Sequence, residues 1–219
     1  MQTLQIKTAT IDDLPIIMHL ERHSYPADMQ AEEEKMKQRL EVFPQGNFLV
    51  LMADQPVAYT TNQIMQFDPQ APAKNWIKCT NGGYSGVTHD SSGNALYLIS
   101  TGVHAAFRRK GVGRAIYDRR IQLAKECKLS YIFANFRIQT LRDNLQRVFS
   151  IEERQLVQFS DSQIKDLGKR YLAMIETGEI NDPLRIVFER GFKLLDIVPW
   201  YMQDIESMHT GAYMYKALN

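Results

Sequence analysis

A basic, glycine-containing segment, Val103–Arg114, has the residue types and spacing needed to hold a phosphate group. Gly111 and Gly113 stand at the start of a predicted helix, directly after an apolar strand. The first turn of a helix exposes unpaired N–H groups and a partial positive charge, and glycine lets the backbone approach an anion closely. Between Arg108 and Arg120, six basic residues face one aspartate, in a chain of net charge +1. The segment predicts an anion site, although a tight turn followed by a solvated basic helix face would show the same pattern.

The spacing of the glycines excludes two common phosphate-binding patterns. The Walker sequence G-x-x-x-x-G-K-[ST] is absent, and no third glycine follows at the spacing of the dinucleotide fingerprint. The apolar runs Leu96–Val103 and Tyr131–Phe136 flank the helix that begins near Gly113. This order predicts a βαβ unit whose two strands run parallel or nearly so.

Periodicity and turn residues predict the other elements. Asp13 is expected to cap the first helix. Ser160 or Ser162 is expected to cap a later helix, which ends at Gly178. Long insertions on a rigid scaffold are usually functional, which favours the irregular stretch 66–94 as part of a site. The remaining predictions are strands over Leu4–Ala9, Phe48–Met52, Val57–Ile64, Phe192–Val198 and Ala212–Ala217, and a helix over Ala31–Val42.

The run Arg108-Arg109-Lys110-Gly111-Val112-Gly113 resembles the [RQ]-x-x-G-x-[GA] signature of the GNAT acyl-CoA N-acyltransferases, and the predicted element order resembles that superfamily over most of the chain. The resemblance implies an α/β fold with a mixed, largely antiparallel central sheet flanked by helices, with two insertions at about 66–94 and 137–180. It also implies a single domain over residues 1–219. A second set of residues resembles the GNAT domain found fused to carbon–nitrogen hydrolases in some bacterial proteins: Trp76, Thr80, Gly82, His89, Asp182-Pro183, Gly191-Phe192, Pro199, Tyr201 and Asp204–Ser207.

The same resemblance implies an N-acetyltransferase that moves an acetyl group from acetyl-CoA to a primary amine by direct attack. The CoA pyrophosphate would lie on the main-chain amides of Arg108–Arg114, and the pantetheine arm would pair like an extra strand with Thr101–Val103. The Val103 amide would polarise the thioester carbonyl. The residues expected to bind acetyl-CoA are Thr101, Gly102, Val103, Arg108, Arg109, Lys110, Gly111, Val112, Gly113 and Arg114.

The groups that move protons depart from the family's usual pattern. Family members often carry a glutamate on the strand before the glycine loop, but Leu96–Val103 has no carboxylate. The family's usual acid is a tyrosine at the position that Val187 occupies here. Tyr201 is the first substitute as proton donor, and His104 is the candidate base.

Each of these residues also has a structural interpretation. If Tyr201 is not catalytic, its ring is half-buried and its hydroxyl is exposed to water. If His104 is not catalytic, it is a structural or exposed histidine. Arg137, Asp182 and His89 are the candidate acceptor-binding residues. His89 is also a weaker candidate base, and Asp182 before proline is equally a good helix cap.

Composition limits the class of protein and the kinds of partner that we expect. The chain has 219 residues, of which 44% are hydrophobic and 23% charged, and only two cysteines. These values are typical of a globular cytoplasmic protein and favour neither nucleic acid, nor a membrane, nor a bound metal as partner. The N-terminal residues do not form a signal-peptide pattern. We expect a small-molecule or peptide amine as acceptor and a monomer or homodimer.

Two other functions remain open from the sequence. The missing glutamate and tyrosine fit a catalytically silent acyl-CoA-binding sensor or scaffold. A phosphate-binding domain without any link to CoA is the third alternative.

Overall fold

The computed structural model describes residues 3–156 and 158–218. Its strands form one sheet in the order β1-β2-β3-β4-β5-β7-β6, and the pairs β1/β2, β2/β3, β3/β4 and β6/β7 are antiparallel. The predicted mixed, largely antiparallel sheet is therefore confirmed. The strands are β1 (Leu4–Thr8), β2 (Phe48–Met52), β3 (Gln55–Met65), β4 (Ala95–Val103), β5 (Tyr131–Arg137), β6 (Lys193–Val198) and β7 (Gly211–Ala217).

Helices flank the sheet and supply most of the connections. The stretch 66–94, predicted as irregular, contains two short helices, because one-turn helices in a segment rich in glycine and asparagine leave no periodic signal. The helices are α1 (Leu14–Arg22), α2 (Glu33–Val42), α3 (Trp76–Thr80), α4 (Ser85–Thr88), α5 (Val112–Glu126), α6 (Leu141–Phe149), α7 (Glu153–Leu156), α8 (Asp161–Thr177) and α9 (Arg185–Glu189).

The chain folds into two compact units. The first contains Met1–Phe67, Thr80–Ile132 and Ala217–Asn219, and the second contains Asp68–Cys79 and Phe133–Lys216. In the first unit, alternate residues of β2 and β3 pack on opposite sides. Leu49 and Tyr59 lie in a buried cluster with residues of α1 and α2, whereas Val50 and Ala58 lie in a second cluster with residues of α5. This alternation is the two-residue period of a strand buried on both faces.

The antiparallel pairing of β3 with β4 is interrupted by a bulge. Thr61 lies opposite Ser100, but the next residue of β3, Asn62, lies opposite Leu98, so that Ile99 is the extra residue in β4. A bulge bends its strand and disturbs the ladder locally. The end of β4 that leads to the basic segment is therefore re-aimed at this point.

The predicted cap of α8 is present in the structure, but the predicted cap of α1 is not. Ser160 caps α8, with Gln163 completing a capping box, and Gly178 ends that helix at a φ of +87°. Asp13 does not cap α1. Its carboxylate instead accepts hydrogen bonds from the backbone and hydroxyl of Thr10, one turn earlier, because a short 3₁₀ turn precedes α1.

In the second unit, α8 packs closely on β6. A Cβ atom added to Gly168 would come within 2.9 Å of the Ile197 side chain, so glycine permits this approach. Lys165 of α8 forms a 2.5 Å ion pair with Asp196 of β6. Within the residues that the structure describes, no helix is long and apolar enough to cross a membrane.

Candidate functional site

The loop between β4 and α5 has an unusual backbone that leaves space in front of the helix. Gly111 is the N-cap of α5 and has a φ of +84°, and Arg109 also has a positive φ of +61°. A Cβ atom at Gly111 would meet nothing within 4 Å. Val112, 2% exposed, anchors the first turn of the helix in the core. The N-cap of α5 thus borders open space, and the first amides of the helix have no partner within the helix, as an anion site at a helix N-terminus requires.

Positive charge surrounds this opening. The basic side chains of the loop are exposed, and the first turn of α5 holds no acidic residue. Arg108 lies back along β4: its Nε donates to the carbonyl oxygen of Val103 and its Nη2 to that of Ser24, both at 3.3 Å. The Nζ of Lys110 lies 4.8 Å from the centre of the Phe107 ring. The loop can hold a ligand phosphate by main-chain N–H groups and by nearby cations together.

The end of β4 turns part of its backbone away from β3. The N–H of His104 donates to the carbonyl oxygen of Val57, which identifies a hydrogen-bonded pair. Such pairs alternate along an antiparallel ladder, so Thr101 and Val103 point their N–H and C=O groups to the other edge. A Cβ on Gly102, between them, would lie 2.2 Å from the Tyr59 ring, so only glycine fits there. The residues predicted to pair with an extended ligand thus present the backbone groups that such pairing needs.

Two residues that the sequence did not single out shape this edge. The hydroxyl of Tyr25, in the segment after α1, donates to the carbonyl oxygen of Thr101 at 2.8 Å and accepts from its N–H at 3.2 Å. Arg120 of α5 donates to Asn62 Oδ1 at 2.8 Å, to Ser100 O at 2.9 Å and to Thr60 Oγ1.

Of the two, only Arg120 leaves a trace in the sequence. It continues the buried row of Val112 and Ile116 at four-residue spacing, where a charged residue is unexpected. Its guanidinium is buried among neutral acceptors, and this burial lowers the pKa of Arg120 to about 10.

His104, the candidate base, directly follows β4. Its Nδ1 accepts a hydrogen bond from the N–H of Ala106 at 3.3 Å, and its ring stacks on His23 with centroids 5.4 Å apart. Because Nδ1 accepts, the neutral ring carries its proton on Nε2, and the lone pair that a base needs is the one that faces the Ala106 N–H. His104 therefore caps the short turn after β4, and a role as base stays a prediction.

Tyr201, the candidate acid, is 1% exposed and lies in a hydrogen-bonded group within the second unit. Its hydroxyl donates to Asp204 Oδ2 at 2.5 Å, and both oxygens of Asp204 accept from Arg137 at 2.9 and 3.0 Å. Burial, together with the neighbouring Asp204 charge, raises the pKa of Tyr201 well above its usual value. A half-buried ring with a wet tip is thus wrong for Tyr201, and its role as acid stays a prediction.

The predicted acceptor residues are occupied by neighbouring groups. Arg137 also donates to Glu206 at 2.7 Å. Asp182, 2% exposed, accepts from Thr140 N and Leu184 N at 3.0 and 2.7 Å. It does not cap α9, whose N-cap is Leu184; its carboxylate binds the backbone in the turn before that helix.

In the first unit, His89 Nδ1 accepts from Ile64 N at 3.2 Å. Burial, which outweighs the nearby Asp90 charge, lowers the pKa of His89. These contacts give Arg137, Asp182 and His89 structural tasks, and acceptor binding by any of them stays a prediction.

Neither a group of metal ligands nor a cavity marks the position of the candidate site among the described residues. Among the described residues, no group of three or more His, Cys, Asp or Glu side chains is arranged to hold a metal ion. Two open depressions of about 660 and 740 Å³ lie in the second unit. Neither depression includes the loop between β4 and α5. The candidate site is therefore identified by the backbone geometry and the charge of that loop.

The model of the Acetyltransferase (GNAT) family matches residues 14–149, more than half of the chain. The chain is 22% identical over 218 residues to the uncharacterized N-acetyltransferase YkwB of Bacillus subtilis (strain 168), covering 97% of this chain and 88% of that protein. It is 24% identical over 193 residues to the probable hydrolase YhcX of the same organism, covering 88% of this chain but 34% of that longer protein.

A solved structure, the GphF GNAT-like decarboxylase in complex with isobutyryl-CoA, shares the fold. It is 21% identical, covers 98% of this chain and 100% of that chain, and has a TM-score of 0.74. The match to one part of a longer protein described as a hydrolase is consistent with the resemblance to GNAT domains fused to hydrolases. The family match and the shared sheet confirm the resemblance of the Arg108–Gly113 signature, and the chain belongs to the GNAT acetyltransferase family.

Proposed function

We propose that this protein transfers an acetyl group from acetyl-CoA to a primary amine of a small molecule or peptide. The observation that carries the proposal is the Arg108–Arg114 loop. Its Gly111 leaves open space before the first amides of α5, and exposed basic side chains border that space. Membership of the GNAT family supports acyl transfer. The acetyl group and the amine are the parts that we add, with residues 1–219 acting as a single domain.

The binding roles follow the geometry of the first unit. The CoA pyrophosphate binds the main-chain amides of Arg108–Arg114, and the pantetheine arm pairs with the outward backbone groups of Thr101 and Val103. Gly102 keeps the strand close to Tyr59. The Val103 N–H polarises the thioester carbonyl as the negative charge on its oxygen grows. Complex formation with isobutyryl-CoA by the GphF domain of the same fold supports an acyl-CoA as the ligand.

The chemical step is a single displacement. The neutral amine nitrogen forms a bond to the acyl carbon, the carbon–sulfur bond breaks, and sulfur leaves as the thiolate of CoA. The attacking nitrogen loses its extra proton as the neutral amide forms. An alkyl ammonium has a pKa of about 10 and must lose a proton first, and the thiolate gains one afterwards. His104 Nδ1, once it has left the Ala106 N–H, is the proposed acceptor of the first proton, and the Tyr201 hydroxyl is the proposed donor of the second. Holding both substrates in line supplies much of the rate.

A silent acyl-CoA-binding module is the second candidate. It is favoured by the absence of a carboxylate on β4 and by the engagement of the Tyr201 hydroxyl with Asp204. Such a module would bind acetyl-CoA and release no thiol with any amine.

Free thiol release separates these functions. The full chain is incubated with acetyl-CoA and a panel of primary amines and amino-terminal peptides, with a no-amine control for hydrolysis. We expect amine-dependent thiol release and an acetylated acceptor by mass spectrometry. A carboxylated acyl-CoA without amine tests for CO₂ release, the activity named for the GphF domain. Tight acetyl-CoA binding without turnover would favour the silent module, and CO₂ release would replace acetyl transfer by decarboxylation.

A further inference from the structure

The outward edge of β4 is already occupied by side chains of the same unit. The Tyr25 hydroxyl both donates to the carbonyl oxygen of Thr101 and accepts from its N–H, at 2.8 and 3.2 Å. One hydroxyl thus supplies both of the hydrogen bonds that a neighbouring strand would give to that residue. Two positions further along, Arg108 Nε covers the carbonyl oxygen of Val103. The strand edge is closed by these two side chains, which is one way in which proteins protect an exposed edge.

The position of Tyr25 is fixed by its own segment. Its N–H donates to the carbonyl oxygen of Glu21 at 3.1 Å, and its carbonyl oxygen accepts from Gln30 at 3.0 Å. Its ring packs against the buried cluster formed by α1, α2 and β3.

Glu21, which holds the backbone of Tyr25, is itself firmly placed. It is 2% exposed, and its carboxylate accepts from Ala31 N at 2.6 Å and from the Tyr59 hydroxyl. The segment between α1 and α2 is therefore tied at several points, and the hydroxyl of Tyr25 is held against Thr101 by its surroundings.

The same backbone groups cannot serve two partners. In the proposed function, on which this inference rests, the pantetheine arm pairs with the N–H and C=O groups of Thr101 and Val103. Those of Thr101 are taken by Tyr25, and the carbonyl of Val103 is taken by Arg108. We propose that Tyr25 is a gate in the acyl-CoA site: its hydroxyl closes the β4 edge in the free protein and leaves Thr101 when the acyl-CoA arm binds.

Arg108 links this gate to the phosphate loop. Its second contact is with the carbonyl oxygen of Ser24, the residue before Tyr25. A pyrophosphate bound at the loop attracts the Arg108 guanidinium away from Val103 and Ser24, since a phosphate oxygen is a stronger acceptor than a carbonyl. Binding at the loop therefore loosens both the strand edge and the segment that carries Tyr25.

The test compares Tyr25→Phe with a matched control. Tyr84→Phe removes a hydroxyl that makes no hydrogen bond to another described residue, in the same unit. Acetyl-CoA binding to the full chain is measured by titration calorimetry. Tyr25→Phe no longer has to break two hydrogen bonds, each contributing modestly, so we expect about three- to tenfold tighter binding. Tyr84→Phe should bind like the natural sequence.

Amide hydrogen exchange at Thr101 gives an independent readout in the unaltered chain. We expect Thr101 to be protected with and without acetyl-CoA, and in the free Tyr25→Phe variant to exchange several-fold faster. Tyr25→Leu, which also removes the hydroxyl, repeats the affinity measurement if Tyr25→Phe does not fold. Unchanged or weaker binding by folded hydroxyl-free variants overturns the gate while leaving the proposed function standing. Absence of any acetyl-CoA binding by the natural sequence overturns the proposed function, and the gate with it.

Discussion

The guanidinium of Arg120 donates a 2.9 Å hydrogen bond to the carbonyl oxygen of Ser100, the residue that follows the bulge in β4. Arg120 belongs to the helix that carries the glycine loop, and Ser100 belongs to the strand whose outward edge lies beside it. One buried cation thus ties together the two parts of the candidate site. All the acceptors of the Arg120 guanidinium are neutral oxygens, so hydrogen bonds to these groups, without an ion pair to a carboxylate, stabilise its charge.

Replacing Arg120 should destabilise the first unit strongly. Arg120→Met keeps most of the volume but removes the donor to Asn62 Oδ1 and Thr60 Oγ1, and leaves the Ser100 carbonyl oxygen only the Thr60 hydroxyl. Buried acceptors that lose a partner are costly, so we expect the free energy of unfolding to fall by about 2–4 kcal/mol. Urea denaturation monitored by circular dichroism measures the change.

Arg119→Met is the matched control on the same helix. Arg119 forms a partly exposed ion pair with Glu126 at 3.0 Å, and such pairs contribute less than about 1 kcal/mol. Equal losses for the two variants would contradict the structural role of Arg120.

A carboxylate at position 111 should abolish phosphate binding. Gly111→Glu places a negative charge in the open space before α5, and we expect acetyl-CoA affinity to fall by at least about tenfold, equivalent to about 1.4 kcal/mol. Calorimetric titration measures the affinity. The strain of a non-glycine residue at positive φ, about 1–2 kcal/mol, lowers stability as well.

Gly82→Glu separates the two effects. Gly82 also has a positive φ of +66° and nothing within 4 Å of its Cβ position, but it lies outside the basic loop. It should lose similar stability and keep its affinity for acetyl-CoA. Equal affinities for the two variants would argue against the loop as the pyrophosphate site.

Tyr201→Phe distinguishes a structural from a catalytic hydroxyl. The variant loses the hydrogen bond to the Asp204 carboxylate, and we expect the free energy of unfolding to fall by about 1.5–3 kcal/mol. At a temperature where the variant is fully folded, kcat and KM are then measured with acetyl-CoA and an active amine. A drop in kcat of about a hundredfold with unchanged KM would support Tyr201 as the proton donor. An unchanged kcat would reject that role.

The Asp204–Arg137 ion pair should make stability depend on pH on the acidic side. Burial opposes ionisation, but hydrogen bonds and charge from Arg137, with the hydroxyls of Ser207 and Tyr201, lower the pKa of Asp204 below its usual value. A lowered pKa in the folded state contributes stability above the unfolded pKa of about 3.9, and this is lost as the pH falls through the folded pKa. Unfolding free energies measured from pH 7 to pH 2 should therefore decline below about pH 4.

Arg137→Met should raise the Asp204 pKa and make that decline smaller, because the stability lost in acid depends on how far the folded pKa lies below the unfolded one. Arg142→Met is the control, since Arg142 pairs with Glu153 at 2.9 Å on the surface, where both side chains are about half exposed. It should leave the profile almost unchanged. The same profile for both variants would show that the buried pair does not govern acid stability.

Features that depend on residues close together in the chain could be predicted from the sequence. The strand β4, the positive-φ glycine at 111 and the start of α5 follow one another within a few residues, so each leaves its own signal. The same holds for Ser160 and Gly178, which begin and end α8 as predicted, because capping involves only residues within one turn. The family signature lies in the same short stretch, and the sheet that it implied is present.

Distant pairings were decided by the tertiary structure. Tyr25 meets Thr101 across 76 residues, and Arg120 meets Thr60 across 60, with no periodicity or spacing to predict either contact. The sequence left open a half-buried ring as one interpretation of Tyr201, but its hydroxyl donates to Asp204, which Arg137 also binds, and the ring is enclosed. A hydrogen bond between remote residues depends on how strands and helices pack. The sequence by itself therefore determined most of the strands, the ends of α8 and the glycine loop that begins α5. Only packing decided which side chains cover the β4 edge, link it to α5 or bury the Tyr201 hydroxyl.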